Sequence, residues 1–183
     1  ITAKATIGGE FICDGYDIST LIIDGENKLS ASAIFVGSEG QATLANSFVI
    51  TNCYAEKGAA LYVVGGSVEL FGVELSSNIA GLGGAIYVDG ATVNIVEAQI
   101  INNKAEQVSS FVGNGGAIYI TSNSIVNITS AEYKVEFNGN VANNDGGAIY
   151  FESTSQQPSS VLGALFTNNK ALSNGGAIYK SGD

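Results

Sequence analysis

Along most of the chain, hydrophobic and polar residues alternate in short runs such as Ala91-Thr-Val-Asn-Ile95, where every second residue is apolar. Period-two alternation is the signature of a strand with one buried face. No segment sustains the 3.6-residue period of a helix, so the pattern predicts an all-β chain of short strands.

The runs are punctuated by two linked motifs. Gly-Gly-Ala-Ile-Tyr begins at Gly83, Gly115, Gly146 and Gly175; a degenerate copy runs Gly58-Ala59-Ala60-Leu61-Tyr62, and a fainter one spans Ala31–Phe35. Ahead of each clear copy stands a large apolar residue, two spacers, Asn, one spacer and Ala: Leu75–Asn78–Ala80, Ile100–Asn103–Ala105, Phe137–Asn140–Ala142 and Phe166–Asn169–Ala171. An earlier version, Ile50–Cys53–Ala55, has Cys in place of Asn. Successive Gly positions lie 25, 32, 31 and 29 residues apart. A unit of two or three short strands cannot bury a face alone, so units of this length must stack. The pattern predicts a right-handed parallel β-helix of six to seven coils. It forms one domain over 1–183, with weak repeats in 1–57 and clear ones in 58–183.

Each motif residue then has an expected place. Gly58, Gly83, Gly84, Gly115, Gly116, Gly146, Gly147, Gly175 and Gly176 form corners where a positive φ or a close backbone approach excludes a Cβ. By alternation, Ile86, Ile118, Ile149 and Ile178 point inward. Tyr62, Tyr87, Tyr119, Tyr150 and Tyr179 then form an outer aromatic ladder; the alternative phase, one residue slipped, puts the tyrosines inside. Asn78, Asn103, Asn140 and Asn169 occupy equivalent corners and form an amide ladder along the stack.

Composition narrows the function. The chain has 24 Gly and one Pro, which suits tight turns between strands rather than disorder. Its net charge of −10, with seven Lys and no Arg or His, argues against a nucleic-acid partner, because phosphate binding needs cationic side chains. It argues equally against docking on anionic lipid. No apolar run reaches the ~18 residues of a membrane span, so direct insertion by this segment is not expected. No leader is visible and the chain starts at Ile1, as expected of a mature or excised piece. Cys13 and Cys53, the two cysteines, suit neither a zinc site nor a CxxC pair; a disulfide and two buried thiols both remain open.

Gly-Gly-Ala-Ile paired with Phe-x-x-Asn resembles the repeats of the polymorphic outer-membrane proteins of chlamydiae. The resemblance covers about residues 50–179; Phe137 and Phe166 keep the Phe, whereas Leu75 and Ile100 replace it. It implies an autotransporter passenger, exported and held at the outer membrane, that works as an adhesin toward a host-cell or surface receptor and associates with itself.

Adhesion is expected to use loops inserted between coils. The segment Glu106–Asn114 carries the apolar Val108, Phe111 and Val112, and further insertions fall within Thr121–Tyr133 and Glu152–Ser160. The alternative is a spacer or a head-to-tail fibre subunit. Catalysis is not expected. Known β-helix lyases and hydrolases resemble sites built on Arg or His, which are absent, and carboxylate pairs such as Asp14/Asp17 or Glu69/Glu74 have ordinary spacings. No cofactor or metal is expected. Asn127-Ile128-Thr129 is a glycosylation sequon, meaningful only in a eukaryotic secretory pathway.

Overall fold

A computed structural model describes residues 5–7, 10–14, 21–46, 48–152 and 158–182, with 5–7, 10–14, 21, 29 and 30 described by backbone alone. The described residues form short parallel strands stacked as a β-solenoid of about six turns, with no helix. Each coil contributes four strands, more than the two or three expected, because two of the four are too short to show as alternating runs. The coil that begins with the strand bearing Tyr87 illustrates the order: Ile86–Asp89, Thr92–Val96, Gln99–Ile101 and Lys104–Ala105. The first of the resulting sheets has seven strands and the other three have six each.

Register between coils is set by the motifs. Ile86 pairs with Leu61 and Ile118, and Ile118 pairs with Ile149, while Tyr62, Tyr87, Tyr119 and Tyr150 align one residue along. The 32- and 31-residue steps therefore leave the pairing intact, because their extra residues sit in the connections. Inward rows repeat on every sheet. Leu44, Leu70, Ile95 and Ile128 line the second; Ile50, Leu75, Ile100 and Phe137 line the third; Ala55, Ala80, Ala105 and Ala142 line the fourth. Each of the larger side chains contributes about 1.5–3 kcal/mol by leaving water. The alanines let the fourth sheet approach the centre closely.

The two corner glycines act differently. Gly58, Gly83, Gly115, Gly146 and Gly175 all have φ between +45° and +69°. A Cβ on Gly83 would lie 2.0 Å from the Ile86 carbonyl oxygen. Gly84, Gly116 and Gly147 do not have positive φ; a Cβ on Gly116 would instead lie 2.0 Å from the Gly147 carbonyl oxygen in the next coil. Gly176 departs from the expectation, with no positive φ and the nearest atom to a Cβ, Asn169 O, 4.0 Å away. Ala59 holds the second position beside Gly58, so the exclusion there depends on how closely the neighbouring coil approaches.

A second left-handed corner, not anticipated from the motifs, precedes the asparagine row. Asn52, Ser77, Asn102, Gly139 and Asn168 all have φ near +55° to +68°. Asn tolerates this conformation better than other L residues, and Gly takes it freely. The reversal there turns the next side chain inward, which is how Asn78, Asn103 and Asn140 come to be fully buried.

Candidate functional site

The buried asparagines are joined into one amide chain. Asn78 Nδ2 donates to Asn103 Oδ1 at 3.0 Å, Asn103 Nδ2 to Asn140 Oδ1 at 3.1 Å and Asn140 Nδ2 to Asn169 Oδ1 at 3.0 Å. The same Nδ2 groups also donate to the Ile50, Leu75 and Ile100 carbonyls, and each acceptor Oδ1 takes a backbone N–H from the preceding coil. Every donor and acceptor on Asn103 is thereby used inside the protein, leaving nothing for a ligand. Cys53 sits at the end of this row, its backbone N–H donating to Asn78 Oδ1 at 3.1 Å.

Cys53 is a buried free thiol. Burial pushes its pKa up to about 11, with a smaller contribution from the Asp24 carboxylate. Backbone pairing places Cys13 opposite Leu44 on the second sheet, whereas Cys53 lies at the corner between the third and fourth. Of the two alternatives for this pair, Cys53 is therefore the thiol; the side chain of Cys13 lies outside the described residues.

The tyrosines lie on the outer side of the first sheet, with the isoleucines inside. Tyr87 and Tyr119 stack at 5.3 Å and 12°, Tyr119 and Tyr150 at 4.8 Å and 9°. Tyr62 meets Tyr87 edge-on at 5.1 Å, and Tyr150 and Tyr179 are tilted at 5.4 Å. An outer ladder would ordinarily be wet, yet Tyr87 and Tyr119 are only 5% and 6% exposed. Part of the cover comes from the inserted segment Glu106–Asn114, whose Phe111 packs against the cluster of Leu82, Tyr87 and Tyr119, and Tyr119 is further enclosed by Tyr150 and Glu152.

That segment does not project as an apolar adhesion loop. It folds back as a flap across the corner between the fourth and first sheets, its turn closed by an antiparallel bridge between Val108 and Phe111 and its ends held by Glu106 N–H donating to Ala80 O and Gly113 N–H to Gly81 O. Val108 is buried, Phe111 is half-buried against Tyr87, Tyr119 and Leu82, and Val112 alone of the three is well exposed. The physical reason is the ladder beneath: a run of aromatic faces offers the apolar loop residues more burial than solvent does. Gly81 makes room, since a Cβ there would lie 2.7 Å from Phe111 Cβ. Ser109 Oγ fastens the tip by donating to Glu56 Oε1 at 2.6 Å.

Burial shifts the covered phenols. The pKa of Tyr119 is raised well above the ordinary value by desolvation and by its hydrogen bond to Glu152 Oε1 at 2.5 Å, which holds the neutral form. That of Tyr87 is raised mainly by desolvation.

The other insertions divide between connections. Thr121–Ser124 joins the first and second sheets, with Ser124 buried and donating to the Val88 carbonyl. Ser130–Val135 joins the second and third, and Tyr133 there is 65% exposed. Within Glu152–Ser160, residues 153–157 lie outside the described residues. Asn127 of the sequon lies mid-strand, donating to Asn94 Oδ1 and accepting from Ser160 Oγ, so its amide belongs to an outer polar ladder. Glu69 joins the same ladder by accepting from Asn94, on a different sheet from Glu74. Among the described residues no three His, Cys, Asp or Glu side chains gather as metal ligands, and no helix is long and apolar enough to cross a membrane.

The linked motifs recur in two consecutive coils as Phe137–Asn140–Gly146 and Phe166–Asn169–Gly175, with the two Phe rings stacked at 4.8 Å. The family model of the Chlamydia polymorphic membrane protein repeat matches over these stretches, at residues 134–152 and 163–181. Two of the chain's coils are similar to the chlamydial repeat. The elements common to the two matched coils are those that close a coil: the stacked Phe, the Asn of the amide row and the corner glycines. No curated protein and no solved structure matches the chain. The chlamydial repeat on a β-solenoid fits a surface autotransporter passenger.

Proposed function

We propose that this solenoid is a non-catalytic adhesin segment, displayed at the outer membrane as part of a passenger and meeting a host-cell or surface receptor through residues outside the repeat. The observation that carries the reading is the chlamydial repeat at two places in a stacked β-solenoid. Its amide row is fully engaged internally, so recognition falls to the exterior and to the connections where coils differ. The flap contributes through its surface and edges, with Val112 exposed at its end. Beads coated with the chain should bind cultured epithelial cells in clear excess over beads coated with an unrelated acidic β-solenoid. Equal binding would sink adhesion by this segment.

A further inference from the structure

We infer that the groove between the Glu106–Asn114 flap and the tyrosine ladder binds a single acidic sugar residue, a pyranose bearing one carboxylate; this rests on the adhesin reading and names its ligand class. The groove is open, has a volume of about 510 Å³, and is lined by Ser32, Ala55, Glu56, Lys57, Tyr62 and Phe111. Tyr62 and Phe111 are both half-buried, so ring surface remains for the apolar face of a sugar.

Lys57 determines the charge of the ligand. Its Nζ lies 4.6 Å from the centre of the Tyr87 ring, 5.5 Å from Phe111 and 5.8 Å from Tyr62. Its hydrogen bond is to the Tyr87 hydroxyl, at a long 3.5 Å. Ion pairs among the described residues join Lys28 to Glu26 and Lys104 to Glu106, not Lys57 to any carboxylate. In a chain of net charge −10, this ammonium is held by rings and has no counter-charge among the described residues. The neighbouring Glu56 is turned to Ser109 instead.

That arrangement suits one carboxylate and a set of hydroxyls. Lys57 supplies a charge-assisted donor for the carboxylate. Glu56, exposed and bonded through one oxygen, accepts from sugar hydroxyls with the other. The same Glu56, with the surrounding negative charge, opposes a polysulfated chain.

The test is an NMR titration of the 183-residue chain with methyl glycosides of N-acetylneuraminic acid and glucuronic acid, against methyl glucoside and heparin. Expected are saturable shifts at Lys57, Tyr62 and Phe111 with the acidic glycosides, with dissociation constants near ~1 mM, and binding of methyl glucoside at least about tenfold weaker. Lys57→Met keeps the apolar stem and should reduce the acidic sugars to the level of the neutral one. Lys57→Arg should retain them. If the Met variant does not fold, as judged by thermal melting, Phe111→Leu, which removes one ring wall, should weaken acidic and neutral sugars alike.

Equal affinity for acidic and neutral glycosides, an unchanged Lys57→Met variant, no saturable shifts, or heparin acting at the same signals would each overturn the inference. Bead adhesion run in parallel separates the two proposals. Adhesion that persists while the sugar titration fails overturns the groove alone. Sugar binding without adhesion upholds the groove and sinks the adhesin reading.

Discussion

Replacing Asn103 by Ala tests whether the buried amide row holds the coils together. The substitution removes four hydrogen bonds: two donated by Nδ2, to Leu75 O and Asn140 Oδ1, and two accepted by Oδ1, from the Asn78 backbone N–H and side chain. Asn78 is 0% exposed, so its backbone N–H is left unpaired where water does not reach. Four net bonds at about 1 kcal/mol each, with the orphaned amide adding to the loss, give a destabilisation of about 4–5 kcal/mol. Asn94→Ala provides the control. Asn94 makes similar side-chain bonds, to Glu69 and Asn127, but on the outer ladder where water replaces them, so it should cost under about 1 kcal/mol. Urea unfolding gives the two midpoints. Because a solenoid unfolds by neighbouring coils rather than strictly all at once, amide exchange at Cys53 and Asn78 supplies a local reading. Exchange at both should accelerate in Asn103→Ala and stay unchanged in Asn94→Ala. Equal costs for the two substitutions would refute the argument, since burial is the feature that separates them.

Gly115→Ala should cost at least about 3 kcal/mol in urea, because φ is +67° and the new Cβ falls 2.3 Å from the Ile118 carbonyl oxygen; Gly90→Ala, at φ +57° with open space around it, should cost about 1 kcal/mol. Phe111→Ala should unseat the flap and raise acrylamide quenching of tyrosine fluorescence, with little loss of global stability; unchanged quenching would mean the ladder is covered by something else. Cys53 should resist a thiol reagent at pH 8, where a thiol of pKa about 11 is almost wholly protonated. Its folded pKa lies above the unfolded value, so the contribution to stability is complete below about pH 8.5 and is lost as pH rises toward 11, a window read by melting at stepped pH. The raised phenol pKa values of Tyr87 and Tyr119 act in the same direction at higher pH.

The legible parts of the fold were those where one residue type answers one physical demand. Only Gly satisfies the corner at Gly83 or Gly115, and only an amide satisfies donors and acceptors on both adjoining coils, so Gly recurs at every corner from Gly58 to Gly175 and Asn at every place in the row but its end, where Cys53 stands. The second left-handed corner was harder to read because Asn52, Ser77, Asn102, Gly139 and Asn168 meet it with different side chains. The signal was present in their bias toward small polar residues and Gly, just ahead of the inward Asn. The fourth sheet was hidden in the later coils by its brevity: Lys104–Ala105 and Val141–Ala142 are two residues each, too short for a period to register. The flap was misplaced for another reason. Apolar residues in an insertion say that it will bury against something, but sequence does not say whether that something is a partner or the chain's own ladder.

The flap also changes where recognition can sit on a repeating structure. A solenoid of equivalent coils offers a ligand the same surface every turn, and a ladder of stacked tyrosines would bind weakly everywhere. Covering Tyr87 and Tyr119 while leaving Tyr62 half-open breaks that equivalence at one place. The break also brings in groups the repeat lacks: the Phe111 ring, the Ser109 hydroxyl that holds Glu56, and a setting in which Lys57 is surrounded by three rings. Deleting 106–114 should therefore do two separable things: expose the tyrosines and abolish the groove. Phe111→Leu should weaken the groove while leaving the ladder largely covered. If adhesion falls with the deletion but survives Phe111→Leu, the exposed flap surface around Val112 carries the contact; if both fall together, the groove does.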